Sequence, residues 1–302
     1  STPAMPSSIE RKPFVAGIGE VLWDVVGENE TLGGAPINFA FHAGQLGAAA
    51  LAISSIGDDV RGKRAKSTLQ EYGVVTDHIT VVDGVPTGYV QARVDPDGVA
   101  AYEFPAEVAW DRIAIESATW AIAPRLRAIC FGSLAQRAEH SREAIHSFLE
   151  ALPSGVLKIF DLNIRQGYYS TEIIRESLIQ ADILKLNDDE IALLTRQESL
   201  KGSTEQRLTT LVERYRLSLA VLTRGERGSL LVSPTATADH CGYQADVVDT
   251  IGAGDSFTAV IAMGMLNGYT LDQINEHANL VAAHVCGRRG AMVELPENLR
   301  NF

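Results

Sequence analysis

Short apolar runs recur along this chain, and the stretches between them carry apolar residues at helical spacing. The runs cover residues 14–26, 49–56, 128–134, 157–162, 183–186, 219–223 and 229–232. Several are β-branched, and several end in Gly, Asp or Asn, where a strand gives way to a loop. Residues 141–152 set Ile145, Phe148, Leu149 and Leu152 on one helical face, with Ser141 at the start. Strands alternating with helices predict an α/β chain with a mostly parallel central sheet covered on both faces. Ligands of such sheets bind at the carboxyl ends of the strands.

One region breaks the rhythm. Residues 87–94 and 99–104 read as two strands joined by Asp95-Pro96-Asp97-Gly98. Pro presets φ and Gly accepts a positive φ, so this is a turn with a mechanism. The hairpin predicts a small β flap beside the main sheet, either a surface ornament or a lid. No repeat, low-complexity tract or Pro/Ser-rich linker separates it. The whole of 1–302 therefore reads as one α/β domain with a flap inserted.

Composition bounds the partners. The chain carries 26 Lys+Arg against 38 Asp+Glu, a formal charge of −12. That balance argues against nonspecific binding to nucleic acid or a membrane surface, which needs cationic faces. An anionic ligand must be held against the protein's mean field. Cys130, Cys241 and Cys286 are far apart and lack metal-ligand spacing, so reduced thiols in a cytoplasmic protein are expected. The first twelve residues lack the apolar core of a signal peptide. No apolar run approaches the ~20 residues of a membrane span.

The most informative segment is Asp249-Thr250-Ile251-Gly252-Ala253-Gly254-Asp255, followed by a helical stretch over 256–267 that Gly268 stops. Gly252, Ala253 and Gly254 let a ligand approach the main chain, and a helix N-terminus leaves N–H groups unpaired. Together they make an anion site. An Asp at the mouth of such a site repels the anion. It makes sense if Asp255 accepts a proton from a hydroxyl that attacks phosphorus. A Gly-rich helix start capped by Asp also occurs without function. A second small-residue loop, Gly33-Gly34-Ala35-Pro36-Ile37-Asn38, again precedes a helical stretch, 39–46.

These two loops, in this order and at this separation, resemble the paired signature of the ribokinase-like sugar kinases, the PfkB carbohydrate kinase family. No Walker-type Gly-x-x-x-x-Gly-Lys-Ser/Thr occurs. The resemblance spans about 14–295. It implies an α/β ribokinase-like three-layer sandwich with a β lid formed by segments around 22–32 and 85–104, binding ATP and Mg²⁺. It makes Asp255 the catalytic base and the N–H groups of Gly252, Ala253 and Gly254 the anion hole for the γ-phosphoryl. Asp24, taken as ending the first strand, and the loop of Gly33, Gly34 and Asn38 would bind sugar hydroxyls. Carboxylate and amide groups suit a polyol, since each takes directional hydrogen bonds.

Asn187-Asp188-Asp189-Glu190 resembles the family's Asn-x-x-Glu element, which implies that Asn187 and Glu190 position Mg²⁺ through its water shell; Asp188 and Asp189 read as a solvated helix start. Thr223-Arg224-Gly225-Glu226-Arg227-Gly228 resembles the Thr-x-Gly-x-x-Gly nucleotide loop, placing Thr223, Gly225 and Gly228 at ATP together with Gly254. Asn279 sits where the family makes an adenine-side contact, or else is a plain exposed helix residue. The family often holds a monovalent cation, K⁺, and carbonyls near Asp249, Ile251, Val285 and Arg288 are the candidates. Dimerisation through the lid also occurs in the family.

Asp161-Leu162-Asn163-Ile164-Arg165 resembles the Asp-x-Asn-x-Arg element of fructokinases and 2-keto-3-deoxygluconate kinases, implying that Arg165 bridges transferring phosphate and substrate. Gly19-Glu20-Val21-Leu22-Trp23-Asp24, Ala109-Trp110-Asp111 and the stretch from Phe131 to Arg137 lean towards bacterial fructokinases. Tyr89, Gln91 and Phe104 are the lid candidates for closing on the sugar. The expected activity is ATP-dependent phosphorylation of D-fructose. The alternatives are another sugar or sugar-acid kinase such as one for 2-keto-3-deoxygluconate, a nucleoside kinase, and a catalytically silent sugar-binding protein.

Overall fold

The structure, a computed structural model, describes residues 12–302. The reading of the N-terminus as free of a signal sequence falls on residues outside that range, Lys12 apart. Among the described residues thirteen strands form two sheets. In chain order they are Phe14–Ile18 (β1), Leu22–Val26 (β2), Asn29–Gly33 (β3), Ala49–Gly57 (β4), Ile79–Val82 (β5), Gly88–Val94 (β6), Ala100–Glu103 (β7), Leu126–Gly132 (β8), Leu157–Asp161 (β9), Ile183–Asn187 (β10), Leu219–Thr223 (β11), Ser229–Val232 (β12) and Thr237–His240 (β13). The helices are Ala35–Gln45 (α1), Val60–Glu71 (α2), Ser117–Ile122 (α3), Glu139–Ala151 (α4), Thr171–Gln180 (α5), Asp188–Gln197 (α6), Thr204–Tyr215 (α7), Ala253–Leu266 (α8), Leu271–Cys286 (α9) and Glu297–Arg300 (α10). Among the described residues no helix is long and apolar enough to cross a membrane.

The large sheet runs β13-β12-β11-β10-β9-β8-β1-β4-β5. Every pairing from β5 to β11 is parallel, and β11–β12 and β12–β13 are antiparallel. Its strands are apolar on both faces because helices cover both. Along β8, Ile129 and Phe131 join one core with Ile145 of α4, Ile174 of α5 and Leu208 of α7. Ala128 and Cys130 of the same strand join the opposite core with Phe39 of α1, Val260 of α8 and Val281 of α9. That alternation makes the three-layer, ribokinase-like arrangement expected of the sequence.

The run 14–26 is two strands and not one. Gly19 ends β1 at φ 149°, a conformation side chains avoid, and a Cβ there would sit 2.8 Å from Pro36 Cγ. Its N–H donates to Ile53 O and its carbonyl accepts from Ser54 Oγ. The chain then turns out of the large sheet, and β2 enters a second sheet of order β3-β2-β6-β7. Asp24 therefore lies in the middle of a lid strand. Three helix starts also move. Pro36 lies in the first turn of α1, where a missing N–H costs nothing, so that helix begins at Ala35. The start of α8 is Ala253, which puts Asp255 inside its first turn. Ser141 sits within α4, its hydroxyl tied to Trp110 O and Ile113 N.

The lid has its own small core: Trp23 and Val25 pack with Ile37 and Phe41 of α1 and Leu69 of α2. The guanidinium of Arg61 lies over Tyr89 and that of Arg64 over Trp23, and Arg61 pairs with Glu30 at 2.9 Å. In the hairpin, Asp95 Oδ1 accepts from the N–H groups of Asp97 and Val99, and Gly98 takes φ 81°. This is the turn that Pro-Asp-Gly predicts.

Candidate active site

Parallel register gathers the site at the carboxyl ends of adjacent strands. Asp161, the last residue of β9, pairs in register with Lys185 of β10, and Asn187 pairs with Thr223 of β11. The start of α8 lies over this row. Gly252 takes φ 80°, and a Cβ there would fall 2.6 Å from Ala291 Cα, so only glycine fits. Helix α1 holds Ala291 in place: His42 Nε2 donates to its carbonyl at 2.9 Å. Burial pushes the His42 imidazole down to about 4, so it stays neutral at physiological pH.

The N–H groups of Gly252, Gly254 and Asp255 have no acceptor among the described residues, whereas the Ala253 N–H donates to Thr250 O at 3.3 Å. The free set thus differs from the trio read off the sequence: Asp255's own N–H replaces that of Ala253. Gly254 packs on Lys185, whose Nζ lies 2.8 Å from where a Cβ on that glycine would sit. An ammonium and unpaired N–H groups at one helix start form a site for an anion without a basic surface.

Lys185 is buried and pairs with Asp161 Oδ2 at 3.5 Å. Burial alone would lower its pKa, but Asp161, Asp255 and Glu190 around it more than offset that and raise it. Thr258 Oγ1 also donates to Asp161 Oδ2, while Asp161 Oδ1 is buried without a partner. The Asp255 carboxyl borders the cleft and accepts from Asn38 Nδ2 at 3.0 Å. Dense protein around it, with Asp161's charge adding, pushes it up to about 6 despite Lys185, Asn38 and Arg165. That is a carboxylate poised to take a proton near neutrality. Asn38 keeps a buried Oδ1 without a partner, a spare acceptor beside the same carboxyl.

Glu20, at the β1–β2 junction, is buried and pushed up to about 7 by burial. On the lid, Asp24 Oδ2 lies 3.0 Å from a Cβ position on Gly33, and burial raises its carboxyl while Arg165 opposes the shift. Arg165 is exposed and forms no ion pair among the described residues. Asp255, Asn38, Gly33, Gly34, Asp24 and Arg165 thus lie close together, with the Arg165 charge acting on the carboxyls of Asp255, Asp24 and Glu20.

Asn187 and Glu190 form a capping box on α6: Glu190 N donates to Asn187 Oδ1, and Asn187 N to Glu190 Oε1. Glu190 Oε2 also accepts from Ile164 N at 2.7 Å, and burial raises its carboxyl. Hard oxygen donors of this kind fit Mg²⁺, which takes few protein ligands. No cluster of three His, Cys, Asp or Glu able to hold a metal occurs among the described residues. Thr223, Gly225 and Gly228 lie at the end of β11, with Gly228 closing a turn onto Arg224. The segments of Asp249 and Ile251 and of Val285 and Arg288 run side by side, joined by Asp249 N to Cys286 O and by Gly290 N to Asp249 Oδ2.

Four expectations change. Gln91 and Tyr89 face away from the cleft: Asp24 pairs with Val90, so both share the opposite lid face with Val25, where the Gln91 amide bonds to main-chain carbonyls and Arg61 lies over Tyr89. Phe104 follows β7 and packs edge-on to Tyr168. Asn279 is buried and not exposed, its amide bonded to Ser229 Oγ at 2.7 Å. The sequence reading passed over Lys185 and Glu20. The signal for Lys185 was present, a lone cation inside the apolar run Ile183–Leu186.

The profile of the pfkB family carbohydrate kinases matches residues 8–298. The chain is 28% identical over 300 residues to the sugar kinase PH1459 of Pyrococcus horikoshii, covering 92% of this chain and 91% of that protein. The structure of PH1459 in complex with ATP superposes with a TM-score of 0.80 at 27% identity, covering 92% of this chain and 94% of that one. The fructokinase of Salmonella typhimurium is 27% identical over 301 residues, covering 92% of this chain and 95% of that protein.

Proposed function

The chain belongs to the pfkB family of carbohydrate kinases, and we propose that it transfers the γ-phosphoryl of ATP to D-fructose, giving ADP and fructose 6-phosphate. The observation that carries this reading is Asp255: a carboxyl with its pKa at about 6, in the first turn of a helix whose N–H groups stand unpaired beside a buried ammonium. Asp255 takes the proton of the primary hydroxyl as that oxygen attacks the γ-phosphorus. Asn38 orients the carboxylate. The N–H groups of Gly252, Gly254 and Asp255, with Lys185, receive the charge that develops on the transferring group. Arg165 neutralises it from the lid side. Asn187 and Glu190 would hold Mg²⁺ through water, and the ion would neutralise phosphate charge when bound. Thr223, Gly225 and Gly228 line the nucleotide end, and Asn279 shapes it from beneath through Ser229.

Charge favours a neutral acceptor. Asp24, Glu20 and Asp255 border the sugar side, and the guanidinium of Arg165 acts on all three. A sugar acid would bring its carboxylate into that field, which disfavours 2-keto-3-deoxygluconate. A coupled assay of ADP release across fructose, ribose, 2-keto-3-deoxygluconate and adenosine tests the reading. Fructose is expected to give the highest kcat/KM. A clear preference for any other acceptor refutes fructose, and no release with any acceptor refutes catalysis.

A further inference from the structure

The lid returns to the body of the molecule after β7, and three carbonyls along that exit are each held by a side chain of the body. Tyr102 O accepts from Gln166 Nε2 at 2.5 Å. Phe104 O accepts from Tyr168 OH and from Arg137 Nη1, both at 3.2 Å. Pro105 O accepts from Arg137 Nη2 at 2.6 Å. Arg137 is itself immobilised by two 2.9 Å contacts to Asp111 and by the Trp110 ring 3.9 Å away. The other two side chains, Gln166 and Tyr168, belong to the loop that presents Arg165.

That loop has little freedom of its own. Asn163 and Gln166 take φ 41° and 49°, left-handed values on either side of Ile164 and Arg165. The Ile164 N–H is anchored on Glu190. Lid register adds the second half of the argument. Asp24 pairs with Val90, Ala92 lies two residues on along the same face, and Ala92 pairs with Tyr102. The strand gripped by Gln166 thus carries the face that bears Asp24.

We propose that Gln166 is a positioning residue that latches the lid to the Arg165 loop, so that the closed lid holds the face bearing Asp24 in register with the guanidinium. This rests on the sugar-kinase reading. A lid that closes on the acceptor is then seated against the Arg165 loop, and a lid that opens parts the face bearing Asp24 from it. Phosphoryl transfer to water before the acceptor arrives is suppressed, because the Asp24 face and the guanidinium meet only when the lid is closed.

Three substitutions separate the latch from a role in loop shape. Gln166→Glu keeps the size but sets a carboxylate against a carbonyl oxygen. Gln166→Gly accepts the left-handed φ and removes the side chain. Gln166→Lys keeps an N–H donor. Two readouts are needed: hydrogen exchange of the amides of Ala101–Phe104 in the ligand-free protein, and ADP release with and without sugar. The Glu and Gly variants are expected to speed exchange and raise the sugar KM about 2–12-fold, the worth of one neutral hydrogen bond. ADP release without sugar should form a larger share of the total. The Lys variant should recover part of each effect. Unchanged exchange in the Glu variant, or a Gly variant that matches the parent chain, overturns the latch. Faster exchange with unchanged sugar KM and coupling overturns the link to Arg165. If the parent chain releases no ADP with any sugar, the functional reading fails, while exchange in the ligand-free protein still decides the latch.

Discussion

The cleft has two cations, held in opposite ways. Lys185 sits on a central strand, buried against Gly254 and paired with Asp161. Arg165 stands exposed on a loop between two left-handed residues, with no ion pair among the described residues. In the proposed reaction, a charge fixed in the main sheet needs no reorganisation when the phosphoryl group moves. A charge on a loop that the lid grips is completed by lid closure. The two cations thus divide the site into a sheet half and a loop half.

Removing the group on which both cations act should have the largest effect. Asp255→Asn is expected to lower turnover by about 10²–10⁴-fold, measured as kcat with saturating sugar and ATP. The same change should stabilise the fold. Burial holds the Asp255 and Glu20 carboxyls at about 6 and about 7, above their ordinary 3.8 and 4.5. The folded state therefore binds these protons more tightly than the unfolded state. Their stabilising contribution is complete below about pH 4 and is lost as pH rises through about 6 to 7. At pH 8 the Asn variant should be more stable by about 1–3 kcal/mol in denaturant unfolding. Turnover of the parent chain should rise with pH through about 6, as Asp255 loses its proton. A flat profile there would remove Asp255 as the base.

Lys185→Met comes next and tests the fixed half. It leaves Asp161 buried without its partner, which costs about 3–5 kcal/mol of stability. It should also move the midpoint of the pH–rate profile upward, because Lys185 is the largest influence holding the Asp255 carboxyl down. A midpoint that stays put would separate the two groups.

Arg165→Ala tests the loop half. Stability should change by less than about 0.5 kcal/mol, as for exposed sites, while kcat falls more than sugar affinity does. Added salt should weaken the parent chain's dependence on Arg165 but leave Lys185 unaffected, because only the exposed charge is screened. An effect on sugar KM alone would deny Arg165 a place at the phosphoryl group. Smallest of all is Arg61→Ala, which releases one partly exposed pair to Glu30 and one cation–π contact with Tyr89. It should cost about 1 kcal/mol or less.

Much of this architecture is legible in the residues. The alternation of apolar runs and helical stretches announces the layered sheet, and the glycine loops announce the candidate site. Yet 14–26 reads as one strand, since nothing local distinguishes a strand that changes sheets from one that continues. Ala253 reads as a free donor until Thr250 is seen to take its N–H. Gln91 reads as a sugar contact until the pairing of β2 with β6 turns it to the other face.

Local spacing determined the elements, the two loops and the candidate base, because those depend on neighbours a few positions apart. Only the tertiary structure decided which side of each lid strand meets the cleft and what each buried group carries. Those are relations between distant residues: Asn38 and Asp255 are separated by 217 positions and Lys185 and Asp161 by 24. The register of strands and the exclusion of water that set them exist only once the chain is folded.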